Sequence, residues 1–204
     1  MKTTMSDIAN GNAKSVERAQ VVQELKAVAK QHAQLNKQLA KLTPKPAPEV
    51  VQNYALDTAN GAVQLSDLFG KHDELIVIHN MGAGCAYCTL WADGFNGVVP
   101  HLENRAGFVV VSPDAPAAQA KFAASRGWTF KMASAHNSNF THDLGFASKG
   151  NHMPGVSTFK KQKDGSIVRV NKAVFGPGDL FCGVYHLFDL LPAGRKGWGP
   201  QMRY

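Results

Sequence analysis

Cys85 and Cys88 stand three positions apart in "GAGCAYC", and the chain holds one other cysteine, Cys182. The preceding run, "ELIVIH" at 74–79, is aliphatic enough for a buried strand, and the residues after Cys85 suit a helix. A thiol at the first turn of a helix meets unpaired N–H groups and the positive end of the helix dipole. Both favour the thiolate, and thiol pKa values at such places fall to about 3.5–7.5 from about 8.5. A second cysteine three residues on lies one turn away, near enough for a disulfide to close with little backbone movement. The spacing therefore points to a dithiol centre, with Cys85 the exposed nucleophile and Cys88 the resolving thiol. The alternative is an incidental, structural pair in a non-catalytic interaction module whose helical arm does the work. Gly82 and Gly84 relax the strand-to-helix turn and let a partner's backbone approach. Tyr87, between the two cysteines, is expected on the docking surface.

Two thiolates and an imidazole also make a soft-metal donor set. His79 ends the strand before the loop and His152 precedes Met153-Pro154, so Cys85, Cys88, His79 and His152 form the competing metal reading. Eight histidines spread through 204 residues place one near almost any site. Each of these two also suits a hydrogen-bonded loop or core position. A dithiol needs no cofactor, and none is expected. Further along the helix, Trp91 and Phe95 share a face at i, i+4 and read as core. Asp93 and Asn96 are less expected on a packed helix. A buried carboxylate beside a dithiol can take the proton that the resolving thiol loses, with Trp91 in support; a surface or cap role for Asp93 is the alternative. Cys182, in an apolar stretch, reads as a small buried hydrophobe.

The elements that must hold this centre follow from periodicity. Val21, Leu25, Val28, His32, Leu35, Leu39 and Leu42 recur with alternating gaps of four and three, a heptad seam about three heptads long. It predicts a helix capped by Ser15, after an unpatterned stretch over 1–14, and a homodimer through this arm, the alternative being a helix that lies across the domain. "TPKPAP" at 43–48 ends the helix as an extended spacer. The chain thus divides into an arm and linker, 1–48, and a compact domain, 49–204. In the domain, Asn60-Gly61 predicts a hairpin turn between alternating strands, and Ser66 a cap for a short turn closed by Gly70. Strand Leu75–Met81, a helix from Cys85 to about Asn104 kinked at Pro100, strand "GFVVVS" at 107–112 and a helix over Asp114–Gly127 predict a parallel pair with crossovers. "PGVSTFKKQKDGSIVRV" predicts an antiparallel hairpin about Asp164-Gly165, and "LFCGVYHLFDLL" a helix capped by Asp179, packed across the sheet as far as Pro192. The order defines an α/β, thioredoxin-like fold: a mixed central sheet with helices on both faces, opened by a β-hairpin, plus the helical arm.

Charge and composition bound the partners. The net charge is +7, of which residues 1–48 carry +5, so the domain is nearly neutral. The arm's lysines are spread out with no aromatic among them, which reads as a solvated helix face; no nucleic-acid partner is expected. No apolar run approaches bilayer length, so no membrane span is expected. The first twenty residues show no apolar core or cleavage pattern, and three cysteines make no disulfide scaffold. A cytoplasmic protein is expected, acting on a protein or small-molecule disulfide or thiol.

The stretches "CAYCTLWADGFNG", "PHLENR", "FVVVS", "RGWTF", "SNFTHDLG", "PGVSTF" and "YHLFDLLPAGR" resemble the bacterial thioredoxin-like family catalogued as domain of unknown function 899, akin to AhpC/TSA peroxiredoxin-type domains. The resemblance covers most of 49–196 and the arm. Cys85, Cys88, Trp91, Asp93, Phe95 and Asn96 fall on the family's central motif. It implies a thioredoxin-like fold and dithiol–disulfide oxidoreductase activity, and no substrate. In such folds a cis-proline faces the CxxC, so Met153-Pro154 is expected to be cis and to shape substrate docking. A trans proline at a strand start is the alternative. The peroxiredoxin pattern PxxxTxxC is absent: Ile78 and Gly82 stand at its positions before Cys85, and Met81 and Cys85 before Cys88. Peroxidase activity is therefore the weaker redox expectation.

Overall fold

A computed structural model describes residues 5–42 and 48–204. The chain forms two compact units, Met1–Lys45 and Pro46–Tyr204.

In the first unit, helix α1 spans Met5–Leu42 without interruption. It begins ten residues before Ser15, so Ser15 is interior and not the cap. Residues 5–14 include no proline, and a helix lacking an apolar stripe shows no periodicity to read. Val21, Leu25, Val28 and Leu35 of the seam are all exposed. The proline-rich residues 43–47 lie outside the described residues.

The second unit is built on an eight-stranded sheet. Its strands are β1 (Glu49–Val51), β2 (Ala55–Thr58), β3 (Gly61–Gln64), β4 (Glu74–His79), β5 (Gly107–Ser112), β6 (Lys131–Ser134), β9 (Gly155–Lys161) and β10 (Ile167–Val174). The spatial order is β1-β10-β9-β4-β5-β6-β2-β3. Strands β4, β5 and β6 run parallel, and every other pairing is antiparallel. The short strands β7 (Ala147–Ser148) and β8 (Asn151–His152) make a separate hairpin. The mixed sheet, the opening hairpin at Asn60-Gly61 and the later one about Asp164-Gly165 match the expectation.

Alternation along β4 divides the core. Leu75 and Val77 face one cluster with Phe69, Phe140, Phe146 and Phe159, whereas Ile78 faces another with Trp91, Phe108, Phe175 and Tyr185. Helix α2 (Ala86–Asn96) packs on the second face, followed by α3 (Val99–Arg105). One helix from Cys85 to Asn104 is therefore incorrect. Pro100 lies in the first turn of α3, where its missing N–H costs nothing, so the chain breaks at Gly97-Val98 instead of kinking. Helix α4 (Pro116–Arg126) ends at Gly127 in the left-handed conformation, and α5 (Phe140–Asp143) is a single turn.

Two further expectations fail locally. The 3-10 turn Leu65–Phe69 is capped from Gln64, whose N–H donates to the Asp67 carboxylate at 2.8 Å, while Ser66 Oγ accepts from Asn53 Nδ2. The last helix, α6, covers only Gly183–Phe188. Asp179 caps the turn before it, accepting from Gly176 N and Phe181 N, and Leu180, Leu187, Leu190 and Leu191 stay exposed. A segment apolar on every side names no buried face, so its helical extent could not be read from hydrophobicity.

Candidate active site

Parallel pairing of β4 with β5 sets the dithiol loop in place. His79 is in register with Val111, and Asn80 N–H donates to Val111 O at 2.8 Å. The loop then leaves the sheet through Met81–Gly84. Gly82 N–H donates to Asn80 Oδ1 at 2.8 Å, Ala83 N–H to Asp114 Oδ2 at 2.9 Å, and Cys85 N–H back to Gly82 O at 3.1 Å. Gly82 has φ +106°, a conformation that favours glycine, and a Cβ there would meet Asp114 Oδ1 at 2.9 Å.

Cys85 caps α2. Its backbone is extended, and its Sγ accepts the Cys88 N–H at 3.1 Å. Cys88 lies one turn in, 2% exposed, and its own Sγ accepts the Met81 N–H at 3.4 Å. Cys85 is half-buried, and all three cysteines are free thiols. The Cys88 thiol donating to Cys85, aided by the backbone N–H groups of Cys88 and Tyr87, lowers the Cys85 pKa from 9.0 to about 6 against the opposing effect of burial. The same hydrogen bond, together with burial, raises that of Cys88. One thiol is thus poised as a thiolate at neutral pH and the other as a protonated reserve, which is the division of labour a dithiol needs.

The remaining predicted residues separate around this pair. Tyr87 is exposed and its ring centroid lies 6.4 Å from that of Trp91. Trp91 is buried against Phe175, its Nε1 donating to Asp179 Oδ1 at 3.4 Å. Asp93 is engaged elsewhere: its carboxylate pairs with Arg126 and accepts from Trp128 Nε1 at 2.8 Å. Arg126 in turn donates to Met202 O at 3.2 Å. Among the described residues Asp93 makes no hydrogen bond to either cysteine. Asn96 joins α2 to the loop after α4, accepting from Thr129 N and donating to Gly127 O. Cys182 is buried as expected, and burial raises its pKa.

The Met153–Pro154 bond is trans; no described peptide bond is cis. Met153 N–H donates to Phe146 O at 2.8 Å and Pro154 O accepts from Phe175 N at 2.9 Å, which holds the pair extended as a proline just before a strand. Gly155 is in register with His79, so Met153-Pro154 lies beside the end of β4 from which the dithiol loop departs.

The metal donor set does not assemble. Among the described residues no three of His, Cys, Asp and Glu come together as a site. His79 points into the core, stacked on Phe146 at 3.8 Å between ring centroids, with Nε2 hydrogen-bonded to Ser157 Oγ at 2.9 Å. His152 sits in the β7–β8 hairpin.

Sequence reasoning missed Asn80, Ser112, Asp114 and Gln119. The sequence reads Asp114 as the first residue of a helix, and nothing in "SPDAP" signals that its carboxylate reaches a loop 31 positions earlier.

The fold around this dithiol is thioredoxin-like, and the solved structures it resembles include peroxiredoxin-like proteins. The peroxiredoxin-like protein of Aquifex aeolicus matches with a TM-score of 0.50 at 18% identity, over 62% of this chain and 74% of its own. The peroxidoxin BcpB of Mycobacterium tuberculosis matches at 0.50 and 23%, over 67% and 88%. Reduced Prx3 of Vibrio vulnificus matches at 0.52 and 15%, over 65% and 88%. At these identities the likeness is one of fold. No curated protein matches the chain. The chain itself belongs to the bacterial family of proteins of unknown function DUF899, whose model matches residues 4–204.

Proposed function

We propose that this protein is a thiol–disulfide oxidoreductase working through Cys85 and Cys88. One observation carries the reading: Cys85 Sγ caps α2 and accepts the Cys88 N–H, with Cys88 buried one turn further in. The Cys85 thiolate attacks one sulfur of a substrate disulfide. A new S–S bond forms as the substrate's breaks, and the departing substrate sulfur takes up a proton. Cys88 then gives up its proton and attacks Cys85 Sγ, releasing the second substrate thiol. Two electrons pass to the substrate, and the protein is left with a Cys85–Cys88 disulfide; run backwards, the same steps oxidise a dithiol. Tyr87 and Met153-Pro154 flank the loop and supply the docking surface. The reducing cytoplasm suits such a cycle. The exposed seam of α1 pairs with a second copy. No described helix is long and apolar enough to cross a membrane.

The peroxiredoxin names of the structural neighbours raise peroxide reduction as the competing activity, and the absent PxxxTxxC pattern weighs against it. A redox titration with thiol counting decides between them. The expected result is a reversible two-electron couple between about −270 and −120 mV, lost in Cys85→Ser. A pair that never oxidises reversibly overturns the proposal. Rapid peroxide consumption with a thioredoxin reductant would move the reading to a peroxidase.

A further inference from the structure

We infer that Asp114 is a positioning residue for the Cys85 nucleophile, acting through the main chain of the loop before it. The inference rests on the dithiol reading and names what sets that thiol's geometry. The turn Gly82–Cys85 closes on itself through the Cys85 N–H bond to Gly82 O. Its second residue, Ala83, spends its N–H on Asp114 Oδ2 at 2.9 Å. The carboxylate fits closely against the turn: a Cβ at Gly82, whose φ is +106°, would meet its Oδ1 at 2.9 Å.

The carboxylate is itself held from the sheet. Ser112 Oγ, at the end of β5, donates to the same oxygen at 3.0 Å. That hydroxyl accepts from Gln119 Nε2 at 2.8 Å, and the same amide donates to Ala133 O in β6 at 2.9 Å. Ser112 and Gln119 are 1% and 3% exposed, so this relay is walled from solvent. The Asp114 carbonyl is fixed as well, accepting from Ser134 Oγ at 2.6 Å. A fixed acceptor ties the loop to the parallel strands β5 and β6 of the sheet, independently of α2.

The consequence falls on Cys85. Its Sγ meets the Cys88 N–H only while the cap residue keeps its extended backbone, and the Gly82–Cys85 turn dictates that backbone. Freeing Ala83 N–H lets the turn swing and carries the sulfur away from the helix N-terminus. The role needs an acceptor and not a charge, so Asp114→Asn, whose amide oxygen can take the Ala83 N–H, preserves it.

The test is thiolate absorbance and iodoacetamide alkylation of Cys85 against pH in the reduced full-length protein, with melting followed in parallel. Asp114→Ala is expected to raise the Cys85 midpoint by about one pH unit, cutting the thiolate at pH 6 about fivefold. Ser112→Ala gives a smaller rise, and Asp114→Asn stays near wild type. A residue that only stabilised the fold would lower the melting temperature and leave the midpoint in place. An Asp114→Ala midpoint within about 0.2 unit of wild type overturns the inference, as does Asp114→Asn moving as far as alanine. If Asp114→Ala does not fold, an unmoved midpoint in Ser112→Ala overturns it instead. A wild-type thiol titrating near 8.5 is a separate outcome, and sinks the dithiol reading itself.

Discussion

The Cys88 N–H points at Cys85 Sγ, 3.1 Å away, while Cys88 Sγ takes the Met81 N–H from the loop that precedes both. The two sulfurs thus hold opposite protonation states. With its pKa lowered to about 6, Cys85 alkylation should reach half its plateau rate near pH 6. The linkage has a definite sign. Between 6 and the ordinary 9.0 the unfolded chain holds a proton at Cys85 that the folded chain does not, so stability rises with pH across that window. It is fully present above 9 and lost as pH falls through 6. Urea melts of reduced protein against Cys85→Ser should diverge with rising pH in that range, and parallel curves would refute the assignment.

The largest influence on Cys85 is the Cys88 thiol that donates to it. Cys88→Ala removes that donor and should move the Cys85 midpoint upward. Cys88→Ser keeps a hydroxyl donor and should hold it nearer to wild type. Cys88→Ser should also accumulate a mixed disulfide with substrate that non-reducing electrophoresis resolves, because no second thiol remains to release it.

How far the sequence discloses this site depends on where the partners lie along the chain. Strand, loop and cap occupy one window from Glu74 to Cys88, so hydrophobic run, glycines and cysteine spacing mark the junction directly. Asp114 and Gln119 act across 31 and 7 positions, on main-chain N–H and a serine hydroxyl that no pattern singles out. Met153-Pro154 is a different case: both its place facing the CxxC and its cis isomer rest on analogy of fold, and the bond is trans beside the end of β4. The exposed leucines at 180, 187, 190 and 191 mark a limit of hydrophobicity as a guide, since a stretch apolar all round does not say which residues it buries.

Gly82→Ala tests the fit between loop and carboxylate. The new Cβ would stand 2.9 Å from Asp114 Oδ1 at a φ of +106°. Strain at such a position costs on the order of 1–3 kcal/mol. The urea midpoint should fall accordingly with an unchanged slope. An alanine variant as stable as wild type would show that the loop relaxes freely.

The arm makes its own prediction. Leu25 and Val28 are 62% and 60% exposed on α1, and a seam of this kind is stable only when paired. Light scattering should give a dimer mass for the full chain and a monomer mass for the double variant Leu25→Glu, Val28→Glu. A wild-type monomer at micromolar concentration would remove the arm as a dimer contact.

His79 predicts acid sensitivity from the core. Burial first, and the positive charge of Arg169 second, lower its pKa from 6.5 to about 3. Among the described residues its buried Nδ1 has no hydrogen-bond partner, so protonation would place a charge against Phe146 without an acceptor among them. Between pH 6.5 and 3 the unfolded chain therefore binds a proton that the folded chain refuses, and stability, present above 6.5, drains as pH falls. His79→Phe keeps a ring for the stack on Phe146 and deletes the titrating group, at the expense of the Ser157 hydrogen bond. Denaturation midpoints followed from pH 7 to 4 should decline less steeply in the variant than in wild type. An equal decline would assign the acid response to the carboxylates alone and leave His79 with no part in it.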